Sequence, residues 1–313
     1  MTSSALLSKP IRLGTRGSPL ALYQAHLVRD LLTDHWQLAP GHIEIVVIET
    51  KGDRILDRPL YDVGGKGLFI KAIEEALLDG EIDLAVHSMK DVPSILDAGF
   101  EISAILERED VRDALIAPGI GQLLDLPQGC RIGTSSPRRR AQLKSLRPDL
   151  DIRDLRGNVD TRLGRVTDGT VQATILASAG LKRLGKIDRA NCLVPVDQML
   201  PAAAQGAIGI EIRLGDERMQ AVTAPINHTK TAQAVHAERA VLAKLGGSCL
   251  TPVAAYAQID GDGLQLAAKL FSLDGAQMVD AEIKGASADY LALGQTVGAQ
   301  LLAAAPPGSL TQS

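Results

Sequence analysis

Cys249 lies in Leu245-Gly-Gly-Ser-Cys-Leu-Thr-Pro252, a short loop whose glycines leave a thiol within reach of a reactant. A thiolate nucleophile is favoured at a helix N-terminus, whereas this cysteine follows the end of a helix, where the dipole opposes ionisation. His236, the histidine nearest in sequence, lies upstream within that helix, so a Cys–His hydrolase has little direct support. A cysteine that reacts once and stays bonded suits the position. So does a cysteine used as a small apolar residue, the reading that fits Cys130 and Cys192 in their apolar settings.

A second group is Gly133-Thr-Ser-Ser-Pro-Arg-Arg-Arg140. Ser136 is placed to cap a helix with Pro137 at its first position, which turns free backbone N–H groups toward an anion. Arg138, Arg139 and Arg140 add forked donors on the opening turn, where cations repel the helix dipole unless something negative is near. An arginine run is often only a solvated face. Here Arg131 to Arg165 holds ten lysines and arginines against four aspartates, inside a chain of net charge −4. Arg153, Arg156 and Arg162 come from separate short elements that folding can bring to one wall, so a ligand with several carboxylates or phosphates is expected.

The third group, His87-Ser-Met-Lys-Asp-Val-Pro93, follows the apolar run Ile82–Val86. That sets Lys90 and Asp91 at the carboxyl end of a strand, where ligand clefts form in α/β sheets. An exposed Lys–Asp pair of little energetic worth is the alternative. Facing a cleft, Asp91 would accept hydrogen bonds and stabilise a developing positive charge. Gly64-Gly65-Lys66-Gly67 lacks the spacing and the following Ser or Thr of a phosphate loop and reads as a mobile loop before a helix.

The elements that must position these groups follow an α/β pattern. Ile43–Thr50 and Asp83–Ser88 read as strands, with helical spacing over Pro19–Thr33 and Lys66–Asp79. A second set has strands at Ala114–Ala117, Arg131–Thr134 and Ala173–Ser178, with helices at Pro137–Leu146 and Val159–Thr167. Such alternation predicts βαβ units and mainly parallel sheets in two lobes. Arg12-Leu-Gly-Thr-Arg-Gly-Ser18-Pro19 echoes Arg131-Ile-Gly-Thr-Ser-Ser136-Pro137, which suggests a shared plan. After an Ala-rich helix over Thr231–Leu245 come Val253–Asp260, Leu264–Leu273 and Ala276–Lys284, an antiparallel three-stranded meander, and then a last helix.

Composition narrows the function classes. Hydrophobic residues make up 45% of the 313, ample for a core, and the 33 Lys+Arg against 37 Asp+Glu leave no global basic field for nucleic acid. Only 3% is aromatic, with none between Arg131 and Arg165, so the stacking used by single-strand readers is missing and a small polyanion fits better. No apolar stretch is long enough to span a bilayer, Met1 to Pro10 has no signal-like core, and three cysteines without a C-x-x-C pair suit a reducing compartment; a cytoplasmic location is expected. A two-lobed anion-binding protein without catalysis, and a nucleic-acid-binding regulator, are the rival readings.

The motifs together are specific to a family. Gly14-Thr-Arg-Gly-Ser-Pro-Leu-Ala-Leu22, Val63-Gly-Gly-Lys-Gly-Leu-Phe69, His87–Pro93, Gly133–Ser136 with Arg138-Arg139, Leu155-Arg-Gly-Asn-Val-Asp-Thr-Arg162, Gln205-Gly-Ala207 and Glu238-Arg239 leading to Gly247–Pro252 occur in one order. Over nearly its whole length the chain resembles the porphobilinogen deaminase (hydroxymethylbilane synthase) family. Pro137, where leucine is usual, and Arg140, which extends the arginine pair, are the departures.

The resemblance implies a transferase that joins four porphobilinogen molecules head to tail, releases ammonia and frees hydroxymethylbilane by hydrolysis, in tetrapyrrole biosynthesis. It implies a dipyrromethane cofactor bound by a thioether to Cys249, and no metal. Asp91 is then the catalytic carboxylate, hydrogen-bonding pyrrole N–H groups and stabilising the azafulvene cation left by ammonia. Arg16, Ser18, Lys90, Thr134, Ser136, Arg138, Arg139, Arg156 and Arg162 match positions that bind cofactor, substrate or chain, with Ser88 and Gln205 as further lining residues and Lys66 and Phe69 in a mobile cover. The implied fold has two periplasmic-binding-protein-like lobes and a C-terminal α+β domain. The expected divisions are 1–106 with 207–224, 107–206 and 225–313. The implied partner is porphobilinogen alone, with no nucleic acid or membrane, and the family suggests a monomer.

Overall fold

Strands and helices alternate from the start of the chain in the computed structural model, which describes residues 6–49, 70–246 and 251–310. In chain order the first elements are β1 (Ile11–Thr15), α1 (Pro19–Trp36), β2 (Ile43–Val47), α2 (Lys71–Leu78), β3 (Leu84–Ser88) and β4 (Phe100–Ile105). There follow β5 (Asp113–Ile116), β6 (Arg131–Gly133), α3 (Pro137–Leu146), β7 (Asp151–Arg153), α4 (Val159–Thr167), β8 (Ala173–Ala177), α5 (Ser178–Arg183) and β9 (Cys192–Leu193). The last are β10 (Ile208–Arg213), α6 (Glu217–Thr223), α7 (Thr229–Lys244), β11 (Val253–Asp260), β12 (Gly263–Phe271), β13 (Met278–Ala286) and α8 (Tyr290–Ala303). The chain divides into two units, Met1–Arg108 with Ala207–Ala232, and Glu109–Gly206 with Gln233–Ser313.

The first unit is built on a five-stranded sheet in the order β2-β1-β3-β10-β4. β1 pairs in parallel with β2 and β3, while β10 is antiparallel to both β3 and β4, so one strand opposes the other four. Helix α1 turns Ala25, Val28 and Leu32 inward at helical spacing, onto Leu13, Leu84 and Val86 of the sheet. On another part of the sheet, Ile73 and Leu77 of α2 pack with Ile82, Ala85 and Phe100.

The second unit repeats the plan. Its five-stranded sheet has the order β7-β6-β8-β5-β9, with β6 parallel to β7 and β8, and β5 antiparallel to β8 and β9. The echo seen in the sequence therefore falls on corresponding elements. β1 and β6 are the first strand of each plan, and Ser18 and Ser136 both cap the helix that follows, each accepting a hydrogen bond from the backbone N–H three residues on. The opposing strand in each sheet enters directly after the chain has changed units, β5 after β4 and β10 after β9.

The same unit carries a three-stranded antiparallel sheet, β11-β12-β13, whose inner face packs with α7 and α8 around Val241, Leu266, Leu270, Val297 and Leu301. The fold is thus α/β in two lobes, with a C-terminal α+β part. Four strands were not read in the sequence, β4, β7, β9 and β10. β4 alternates polar and apolar residues, and β10 carries Glu211 mid-strand, which argues against a buried strand until its partner across the sheet is known. Strands β12 and β13 are also displaced from the expected spans, because Ser272 Oγ donates to Asp274 Oδ1 (2.5 Å) and Gln277 N–H donates to Ser272 Oγ (3.0 Å), drawing these residues into a turn.

Candidate functional site

In the first unit the sheet register sets Leu13 beside Leu84 and Gly14 beside Ala85, so the carboxyl ends of parallel β1 and β3 lie next to each other. The strand order turns there, β2 lying on one side of β1 and β3 on the other, the arrangement in which α/β sheets open a crevice. Arg16 and Ser18 follow β1, while Ser88 ends β3 and Lys90 and Asp91 follow it. Ser18 Oγ accepts from Ala21 N–H at 3.3 Å, and Ser88 Oγ exchanges hydrogen bonds with the buried amide of Gln24. Lys90 and Asp91 are exposed on a one-turn 3₁₀ segment, Met89–Asp91.

That turn is pinned from below. Met89 is fully buried, and its N–H donates to Ala207 O at 3.0 Å. Its sulfur packs against Gly209 of β10 so closely that any β-carbon there would collide with it. A side chain at 209 would force Met89 to shift beneath the turn carrying Asp91.

Another face of the same strands holds a buried polar cluster that the sequence reading passed over. His87 Nε2 meets Glu211 Oε2 at 2.9 Å, with both side chains almost wholly enclosed. Glu74 of α2 is 9% exposed. Burial pushes its pKa up to about 7, with repulsion from Glu211 and Asp97 adding to the rise and His87 opposing it.

In the second unit Thr134 and Ser136 follow β6, and Arg156 follows β7. Thr134 is buried; its Oγ1 accepts from Ser136 N–H at 3.2 Å, and its own N–H donates to Arg153 O at 2.8 Å. Arg162 Nε donates to Gly157 O at 2.9 Å, which folds its side chain back over the cap of α4 made by Asn158. Arg140 pairs with Asp154 at 2.7 Å, and Arg153 with Asp151 at 2.9 Å.

Arg138 and Arg139 turn inward and are 4% and 5% exposed. Arg138 Nη2 donates to Asp113 Oδ2 and Arg139 Nη2 to Asp113 Oδ1, both at 2.8 Å. Their other ends reach Leu200 O (2.7 Å) and Ile175 O (2.9 Å). Gln205 joins the same carboxylate, Nε2 to Asp113 Oδ1 at 2.8 Å, and also donates to Val111 O. Burial alone would raise the Asp113 pKa, but the two guanidinium groups outweigh it and hold the carboxyl well below the usual range. Burial lowers the Arg138 pKa, and Asp113 opposes that. Two cations thus share one anion, and neither Arg138 Nε nor Arg139 Nε meets an acceptor among the described residues.

Gln205 is fixed by unusual backbone. Ala204 adopts φ 61°, its N–H held by the buried Glu238 carboxylate at 2.6 Å, and Gly206 at φ 88° leaves no room for a β-carbon beside Glu109 O. Asp113 is the central group that the sequence reading missed. Its signal was an aspartate opening an otherwise apolar strand, Asp-Ala-Leu-Ile, in which every residue is buried.

Cys249, Lys66 and Phe69 lie outside the described residues. Burial raises the Cys130 and Cys192 thiol pKa values, as befits packing residues. Burial lowers that of His236, with Arg239 adding to the effect. No group of three or more His, Cys, Asp or Glu that could hold a metal occurs among the described residues, and no helix among them is long and apolar enough to cross a membrane.

Two family models match the chain. The one described as porphobilinogen deaminase, dipyromethane cofactor binding domain, covers residues 11–221, and the one described as porphobilinogen deaminase, C-terminal domain, covers residues 232–303. A porphobilinogen deaminase of Paracoccus denitrificans (strain Pd 1222) is 50% identical over 306 residues, 98% of either chain. One from Nitrobacter winogradskyi is 50% identical over 289 residues, 92% of either chain. Among solved structures, a putative methionine-binding lipoprotein of Bacillus subtilis is 12% identical with a TM-score of 0.45, covering 72% of this chain and 92% of that one.

Proposed function

The chain belongs to the porphobilinogen deaminase family, and on that premise we propose that it condenses four porphobilinogen molecules head to tail on a covalent dipyrromethane and releases hydroxymethylbilane by hydrolysis. This makes it a transferase whose partner is the small-molecule substrate, acting as a cytoplasmic monomer. We divide it into 1–106 with 207–224, 107–206 and 225–313, the last segment bearing the cofactor cysteine.

The observation that carries the reading is the arginine pair. Two buried guanidinium groups against one carboxylate leave an excess positive charge in a dry setting, and two buried Nε–H groups lack acceptors among the described residues. Such a pair calls for an anion, and carboxylates suit the guanidinium fork. Every pyrrole unit of the cofactor and product brings an acetate and a propionate, so the residues fit the group.

Bound through Cys249, the dipyrromethane supplies the pyrrole carbon onto which units are joined and the tether that retains them. Asp91, exposed on its 3₁₀ turn, accepts hydrogen bonds from substrate pyrrole N–H and stabilises the cation formed as ammonia departs. Lys90 and Arg16 add positive charge for substrate carboxylates at the ends of β3 and β1. Ser18, Ser88, Thr134 and Ser136 offer short polar groups at strand ends, Arg156 and Arg162 add charge after β7, and Gln205 lines the arginine pair. Lys66 and Phe69 are assigned to the cover on the family resemblance alone.

Intact mass tests the reading. Protein expressed with porphobilinogen available is expected to exceed its sequence mass by one dipyrromethane, and the Cys249→Ala variant to run at bare mass. Wild-type protein at bare mass refutes it.

A further inference from the structure

The charge balance around Arg138 and Arg139 singles out a residue that no sequence motif marked. Asp113 opens β5 and is fully buried. Its two oxygens accept from three different side chains: Arg138 on Oδ2, Arg139 and Gln205 on Oδ1, each at 2.8 Å. All three are residues assigned above to the cofactor and substrate. They reach the carboxylate from α3 and from the constrained backbone at Ala204–Gly206, so a single group sets the orientation of side chains from two segments.

We propose that Asp113 is a positioning residue for the condensation, holding the guanidinium planes of Arg138 and Arg139 so that their remaining N–H groups are aimed at a ligand carboxylate. The inference rests on the function proposed above and deepens it.

The geometry argues for more than packing. An arginine has five N–H donors in a rigid fork, and a carboxylate that grips one edge fixes the plane in which the others point. For each arginine the Nη2 edge goes to Asp113 and Nη1 to a backbone carbonyl, Leu200 O or Ile175 O, while Nε, buried, has no acceptor among the described residues. Asp113 also neutralises one of two adjacent cations. That keeps the pair compatible with burial while leaving one net positive charge to attract an anion.

The test uses the full chain with Asp113→Asn, an isostere that removes the charge but keeps the shape. Wild type and variant are expressed without porphobilinogen and the folded monomeric fraction is isolated. Each is then exposed to graded porphobilinogen, with loading read by intact mass and turnover by product formation. The folded variant is expected to need about tenfold more porphobilinogen to reach half loading, the scale of a lost charge-assisted hydrogen bond, and to show a raised KM. A purely structural role predicts a lower melting temperature and yield, with half-loading concentration and KM of the folded molecules unchanged; that result overturns the inference. Wild type that never gains mass refutes the proposed function instead.

If Asp113→Asn does not fold, Asp113→Glu decides. It keeps the charge but displaces the carboxylate by a methylene, so loading is expected to weaken in folded protein. Loading equal to wild type rejects the inference, and so does failure of both variants to fold, since Asp113 would then be a fold element first.

Discussion

Replacing Glu74 by glutamine should stabilise the protein at alkaline pH and do little at acid pH. Glu74 sits beside the His87–Glu211 pair with 9% of its surface exposed, and burial followed by repulsion from Glu211 raises its pKa from 4.5 to about 7. A carboxyl whose pKa is higher in the folded state binds more protons there than in the unfolded chain. Stability therefore falls as pH rises from about 4.5 to about 7 and is level beyond, because above both values the cost of burying the carboxylate is fully present. At 1.36 kcal/mol per unit the ceiling is about 3 kcal/mol. Residual contact with water screens part of it, so about 1–2 kcal/mol is expected. Glutamine cannot ionise and keeps the shape. Urea unfolding of both proteins at pH 5 and pH 8 measures the effect as a difference of differences. The variant should gain about 1–2 kcal/mol on the wild type at pH 8 relative to pH 5. Parallel curves at the two pH values would show that Glu74 does not carry a buried charge, and the electrostatic account of this cluster would fail.

Asp91→Asn should still gain the dipyrromethane mass but lose turnover by about a hundredfold or more, the scale of a missing catalytic carboxylate; near-normal turnover removes Asp91 from the chemistry. Gly209→Ala forces a methyl against Met89 Sδ beneath the Asp91 turn. It should cost about 1–3 kcal/mol in urea unfolding through overpacking and lower kcat in the folded fraction. Unchanged stability and kcat would mean that Met89 moves aside freely.

What could be read in the sequence was local. Ser18-Pro19 and Ser136-Pro137 announce helix starts within a few residues, and both caps form. The α3 and α4 spans, Pro137–Leu146 and Val159–Thr167, agree with the reading to the residue. What escaped it was non-local. Asp113 meets its arginines 25 and 26 positions on and Gln205 92 positions on. Nothing near Asp113 in sequence says that an arginine run will turn its first two members into the protein to find it. Glu211 makes sense in a strand only once the adjacent strand brings His87, diagonal to it in the register, within hydrogen-bond reach. Long-range compensation of buried charge leaves no periodic trace for pattern reading to find.

The opposing strand of the first sheet also has a consequence for synthesis. β4 joins that sheet only through β10, so when residues 100–105 leave the ribosome their place does not yet exist. His87 and its partner Glu211 are 124 residues apart. At about 5–20 residues per second, the edge of β3 waits roughly 6–25 s for its neighbour. Over that interval the nascent chain carries an unpaired strand edge and the apolar faces of β3 and β4, while β5–β9 of the other sheet are synthesised in full before β10 emerges. Holdase chaperones would find their target there, and a chain released at Gly206 could never bury it.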